Sequence, residues 1–192
     1  PGLDLRLHPH GGPGEVAPGL EVRPLHHRIE AYGYRLVEPD GRTMLPDRLA
    51  TAGISGPEVG RLQRDGSLGG VRLEDVSVHR PGQRFAFIMD TAPCHGAEEL
   101  AEAADLLVVE STFADEEAHL AAEYGHLTAG AAGRLAATAG VDTVVLTHFS
   151  ARYDDLEFLR SQARARAGAS AVLIARDLDR IPVPPRRRGR PA

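Results

Sequence analysis

The chain has no lysine, asparagine or tryptophan and only one cysteine, Cys94. A single thiol excludes an internal disulfide framework and fits a reducing cytosol. All 22 basic residues are therefore arginine, which suggests a GC-rich coding sequence. No apolar run approaches the roughly eighteen residues that a membrane-spanning helix needs, and no secretory signal is visible. A soluble chain without a membrane partner, residing in the cytoplasm, is the expectation. Strong positive charge is lacking as well: a formal net charge of −5 provides no bulk field for nucleic acid, although it leaves room for a local basic patch. The remaining composition, 42% hydrophobic and 26% charged over 192 residues, is enough for one domain with a good core.

Within that composition, the stretch from Phe85 to Tyr153 organises the rest. Three short apolar runs, FAFIM, LLVV and TVVLT, each finish on an ionisable residue: Asp90, Glu110 and His148. With helical patterns between them, they read as parallel strands of an α/β fold, buried on both faces. The carboxyl ends of such strands line one crevice. An Asp, a Glu and a His brought to one crevice suit a borderline divalent metal, with Asp90 the natural bridge between two ions.

Other segments read more simply. Residues 1–19 are rich in Gly and Pro and form a loop, and the His8-Pro-His10 pair there has no acidic partner in reach. Leu20 to Leu25 reads as an edge strand because Pro24 cannot donate to a ladder, with Tyr32 to Glu38 as its neighbour. Of the adjacent His26 and His27, at most one faces a site if the backbone is extended. Residues 39–82 are dense in turn signals and project as an insertion or arm, tinted basic by Arg42, Arg48, Arg61, Arg64, Arg72 and Arg80. Dispersed arginines of this kind suit phosphate contacts. Cys94 and His95 occupy a turn; neighbours in sequence do not aim at one point, and there is no second cysteine for a zinc site. Residues 115–124 read as an acidic helix. His126 precedes the start of another helix at Thr128, where N–H groups and the dipole favour an anion. Asp155 to Ala167 forms an amphipathic helix and Ala171 to Ala175 a last strand. The Arg- and Pro-rich residues 183–192 are a disordered tail.

Five segments in this order, PLHHRIEAYGYRL, IMDTAPC, LLVVESTFADE, YGHLTAGAAG and LTHFSARY, resemble the later motifs of ribonuclease Z, the tRNA 3′-processing endonuclease of the metallo-β-lactamase fold. The resemblance runs from about Leu20 to Pro182 and implies an αββα sandwich, of which residues 1–182 supply mainly the second half. It places metal-binding histidines at His27 and His148, the bridging aspartate at Asp90, the catalytic histidine at His126, and at Glu110 a carboxylate that orients an imidazole. Ser150 and Arg152 match the loop that contacts substrate phosphate, and Gly56 and Pro57 the tip of an arm that grips tRNA. Met89 stands where a glycine is commoner. Two zinc ions per complete subunit, a pre-tRNA substrate and a homodimer are implied.

The family's H-x-H-x-D-H motif is missing from the chain, and His8-Pro-His10 lacks the D-H to replace it. Taken with a start at Pro1, this reads as the carboxy-terminal part of such an enzyme, expected to bind zinc weakly and to lack nuclease activity on its own. Two rivals remain: a metallo-β-lactamase-fold phosphodiesterase or hydrolase acting on a small molecule, and a noncatalytic receiver-like module in which Asp90 accepts a phosphoryl group.

Overall fold

The structure is a computed structural model, and it describes residues 10–186. It divides into two compact units: residues up to Glu38 with Gln83–Pro184, and the segment Pro39–Gly82, grouped with the chain end from Pro185. His8 and residues 187–192 of the expected tail lie outside the described residues.

In the larger unit a seven-stranded sheet takes the order β1-β2-β3-β8-β9-β10-β11. Its strands are β1 (Gly14–Ala17), β2 (Leu20–Pro24), β3 (Tyr32–Val37), β8 (Arg84–Ile88), β9 (Leu106–Glu110), β10 (Thr143–Thr147) and β11 (Ala171–Ile174). The strands β8 to β11 run parallel in sequence order, while β1, β2 and β3 join antiparallel. Each apolar run of the central stretch is therefore one strand of the parallel half, and the three carboxyl ends stand side by side.

Three helices cover one face. These are α3 (His95–Ala101) on β2, β3 and β8, α5 (Ala129–Ala139) on β9 and β10, and α6 (Leu156–Arg164) on β11 and α5. The register sets Ala86 beside Leu107 beside Val144, and Ile88 beside Val109 beside Leu146, and all six are buried under the helices. Burial of apolar area, at about 25 cal/mol per Å² removed from water, makes this layer the unit's hydrophobic core. The small residues of α5 permit close approach: the α6 backbone at Ala163 lies so near Gly133 that a Cβ there has no room. Thr128 caps α5 by accepting from the Ala131 N–H at 3.1 Å, and Asp155 caps α6 by accepting from Glu157 N–H at 2.9 Å. Both helices start where the sequence placed them.

Four expectations are corrected. Residues 14–17 are strand β1, turning through Pro18-Gly19 into β2, where a loop was expected; the Pro-Gly turn with a hairpin register explains it. As a result β2 is flanked on both sides and is not an edge. Its Pro24 is tolerated because β1 pairs only as far as Val22, leaving the proline outside that ladder. Burial on both faces holds for most of β9 and β10 but not for β8. There Phe87 is exposed beside Tyr34, and Leu36 is exposed beside Phe85. Residues 115–124 are a 3-10 turn at Asp115–Glu117 followed by helix α4 (Ala118–Tyr124), not one helix.

The Pro39–Gly82 unit is built from β4 (Gly41–Met44), α1 (Pro46–Thr51), α2 (Pro57–Asp65), the two-residue strands β5 (Ser67–Leu68) and β6 (Val71–Arg72), and β7 (Ser77–Arg80). β4 pairs with β7 and β5 with β6, both antiparallel, around Leu49, Ile54, Leu62 and Val76. Gly56 has φ 53° and precedes Pro57 at the start of α2, a junction that uses glycine's freedom and proline's fixed φ. Among the described residues, no helix is long and apolar enough to cross a membrane.

Candidate metal centre

The site begins with Glu110, the last residue of β9. It is 0% exposed, which for a carboxylate demands full hydrogen bonding. Oε1 accepts from Thr91 N–H at 2.6 Å and from His126 Nδ1 at 3.0 Å; Oε2 accepts from the Thr112 hydroxyl at 2.6 Å and from Leu127 N–H at 3.0 Å. An ionised carboxylate offers about four lone-pair positions, and all are taken. Glu110 is thus held as an orienting anion with nothing spare for a ligand.

His126 is brought there by the turn after α4. Gly125 ends α4 in the left-handed region at φ 77°, and a Cβ there would sit 3.0 Å from His27 Nδ1. The following residues pair with the strand-end loop, where Phe113 N–H donates to Leu127 O at 3.2 Å and Ala129 N–H to Phe113 O at 2.8 Å. Since Glu110 accepts from Nδ1, the Nε2 edge of His126 is free for chemistry. Its side chain is 13% exposed.

His27 donates from Nδ1 to Gly125 O at 2.9 Å, which fixes the tautomer and leaves its Nε2 lone pair available. Its neighbour His26 turns to the loop after β8 through its backbone, taking Ala92 N–H at 2.7 Å and donating its own N–H to Thr91 Oγ1 at 3.1 Å. Asp90 and His148 follow β8 and β10 with φ 53° and 56°, backbone conformations that side-chain-bearing residues rarely adopt. Their side chains meet: His148 Nε2 lies 3.3 Å from Asp90 Oδ1, with both about half exposed. His126 stands between the other two imidazoles, 4.9 Å from His27 and 5.4 Å from His148 by ring centre.

Among the described residues, the donor atoms of His27, Asp90 and His126 lie within 4.8 Å of one another, as do those of Glu110, His126 and His148. The expected ligands His27, Asp90 and His148 are thus divided between two groups that share His126. The donor set fits a zinc-class ion: imidazole nitrogens with their other ring nitrogen engaged, beside a half-exposed carboxylate.

Ser150 and Arg152 occupy the loop after β10. Ser150 N–H donates to Thr112 O at 3.1 Å, and Arg152 Nε donates to Ser150 Oγ at 3.1 Å. The Arg152 guanidinium also pairs with Glu117 at 2.7 Å and lies over the Phe113 ring. Tyr153 donates its hydroxyl to the same Glu117. The arginine expected for phosphate is therefore already oriented by a carboxylate. Glu117 and Thr112 were not singled out in the sequence. The T of the ESTF segment, two residues past a strand-end glutamate, was the one signal for Thr112. Cys94 is the N-cap of α3, and His95 is exposed beside Glu98 and Glu99 on that helix. Gly56 and Pro57 belong to the other unit.

The β-lactamase superfamily domain matches residues 8–149, most of the chain. The chain belongs to this superfamily. Its metallo-β-lactamase fold is shared with the metallo-beta-lactamase fold protein YhfI of Bacillus subtilis, at a TM-score of 0.54 and 20% identity over 88% of this chain and 51% of that one. Among superfamily proteins, the chain is 61% identical to the Ribonuclease Z of Streptomyces coelicolor over 178 residues, 92% of this chain and 59% of that protein. It is 55% identical to the Ribonuclease Z of Nocardia farcinica over 194 residues, 96% of this chain and 63% of that protein. The chain spans about three fifths of the length of these curated relatives.

Proposed function

We propose that this superfamily member is the metal-binding half-site of a zinc-dependent endoribonuclease that removes the 3′ trailer from pre-tRNA. The observation that carries the reading is the convergence of His27, Asp90, His126 and His148 around the saturated carboxylate of Glu110, in a chain 61% identical to a Ribonuclease Z. His27 and His148 would offer Nε2, and Asp90 its carboxylate, to a pair of zinc ions. Bound zinc would supply a water acidic enough to attack at neutral pH, together with positive charge for a phosphodiester oxygen.

The remaining work falls to the chain's own groups. His126, as an imidazolium whose Nδ1–H stays on Glu110, gives its Nε2 proton to the leaving 3′ oxygen of the tRNA and ends as the neutral ring protonated at Nδ1. Ser150 and Arg152 bind the substrate phosphate, for which the guanidinium must share or exchange its contact with Glu117. Gly56 and Pro57 present the start of α2 to tRNA. A homodimer in the cytoplasm completes the reading.

A second assignment has its own support. His126 belongs to both close groups, so His126 is the alternative third ligand in place of a proton donor.

The deciding experiment incubates zinc-loaded protein of the relatives' full length with a pre-tRNA carrying a 3′ trailer, in parallel with a chromogenic phosphodiester. The reading expects a tRNA ending in a 3′-hydroxyl and a trailer with a 5′-phosphate, and no cleavage by the 192-residue chain alone. His126→Ala lowers kcat by about 10²- to 10⁴-fold if it transfers the proton, with zinc content unchanged; lost zinc instead favours the ligand assignment. Cleavage of the small phosphodiester only supports the small-molecule rival, and a protein that binds no zinc supports the receiver-like one.

A further inference from the structure

The Thr112 hydroxyl has three polar neighbours and one proton to give. Glu110 Oε2 is 2.6 Å away, His148 Nδ1 2.9 Å and the His148 carbonyl oxygen 3.0 Å. The ionised, buried carboxylate at the shortest distance takes the proton, since charge-assisted O–H···O⁻ bonds are the shorter and stronger ones. With its proton committed, Thr112 Oγ1 can only accept from His148, so Nδ1 of His148 carries hydrogen. The same reasoning fixes His126, whose Nδ1 faces a Glu110 oxygen that has no proton to donate.

We propose that Thr112 is a positioning residue that couples Glu110 to His148, so that one buried carboxylate sets the ring tautomer of both His126 and His148. Both imidazoles then turn Nε2 outward, His126 by direct contact and His148 through one hydroxyl. At His148 the result meets Asp90: in the neutral ring Nε2 presents a lone pair beside an anionic oxygen, an arrangement that a cation satisfies. The loops are stitched together to keep this alignment. Ser111 N–H donates to Thr147 O at 2.9 Å and Ser150 N–H to Thr112 O at 3.1 Å, bracketing the left-handed His148.

The test is ring ¹⁵N–¹H correlation spectroscopy on the metal-free full chain at alkaline pH, with Thr112→Val and Thr112→Ser. In the unaltered chain and in T112S, His148 and His126 are expected to carry the proton on Nδ1. In T112V, His148 is expected to move it to Nε2 while His126 stays unchanged. A proton on Nε2 alone in the unaltered chain overturns the proposal, and so does a T112V chain with the original His148 tautomer; a merely structural threonine would give the latter. Should T112V fail to fold, the unaltered chain and T112S still decide. A second arm rests on the proposed role of His148 as a metal ligand: zinc affinity is expected to fall about 10- to 100-fold in T112V and to recover in T112S. Failure of pre-tRNA cleavage would remove the nuclease reading and leave the tautomer result standing.

Discussion

At the carboxyl ends of β8, β9 and β10, one buried carboxylate gathers donors from residues 91, 112, 126 and 127, whereas the polar contacts of the Pro39–Gly82 unit are mostly exposed pairs such as Arg72 with Asp75 and Arg61 with Glu58. The first region is over-determined: it holds Asp90 and His148 in backbone conformations that cost free energy, because the surrounding ladder and hydrogen bonds permit little else. The second rests on four buried apolar side chains and short hairpins. The contrast separates two uses of the chain. Long-range polar convergence fixes side-chain atoms in place, and a small local core fixes a surface.

Four experiments can break or sharpen this contrast, taken from the largest expected effect. Glu110→Ala leaves the donors of Thr91, His126 and Leu127 without an acceptor, while the Thr112 hydroxyl can turn to the His148 carbonyl. At about 1–3 kcal/mol each with partial relief by water, the larger unit should lose roughly 3–5 kcal/mol in urea unfolding. Retention of near-normal stability would mean that the convergence is not structural. Leu62→Ala should cost about 2–4 kcal/mol, read as faster amide exchange confined to residues 39–82. If exchange rises equally across β8 to β10, the two units are not independent in stability.

Asp90→Gly removes the left-handed penalty but adds unfolded-chain entropy, so the metal-free chain should change by no more than about 1 kcal/mol. Zinc binding should drop sharply in the same variant, and a large loss of stability instead would show that Asp90 is held for packing. The smallest effect concerns pH. The hydrogen bond from Arg72 holds the Asp75 carboxyl below its ordinary value. A lowered folded-state value stabilises above the unfolded value and is lost as pH falls through the folded one. The 39–82 unit should therefore weaken slightly below the usual carboxylate range, and Asp75→Asn should abolish that slope in amide exchange.

How much of this was legible in the sequence depended on the range of the interaction. Asp90, Glu110 and His148 could be placed together because unbroken β-branched runs ending on ionisable residues define parallel strands and their shared end. His126 followed from a helix start that Thr128 does cap. Strand β1 was hidden by the glycines and prolines around it, although its Pro-Gly turn was available as a signal. The exposed side of β8 was not legible, because an apolar run reads alike whether one or both faces are covered. Thr112 had one local signal, its place two residues after Glu110, but its link to His148 and the pairing of Glu117 with Arg152 span 36 and 35 residues, across loops whose course periodicity does not specify.

The central proposal is that His27, Asp90 and His148 hold metal beside imidazoles oriented by Glu110. Calorimetric zinc titration of the full chain beside His27→Ala, Asp90→Asn and His148→Ala tests it most directly. The account predicts measurable binding that each of the three substitutions weakens by at least about tenfold, roughly 1.4 kcal/mol. Equal affinity in all four chains would contradict it.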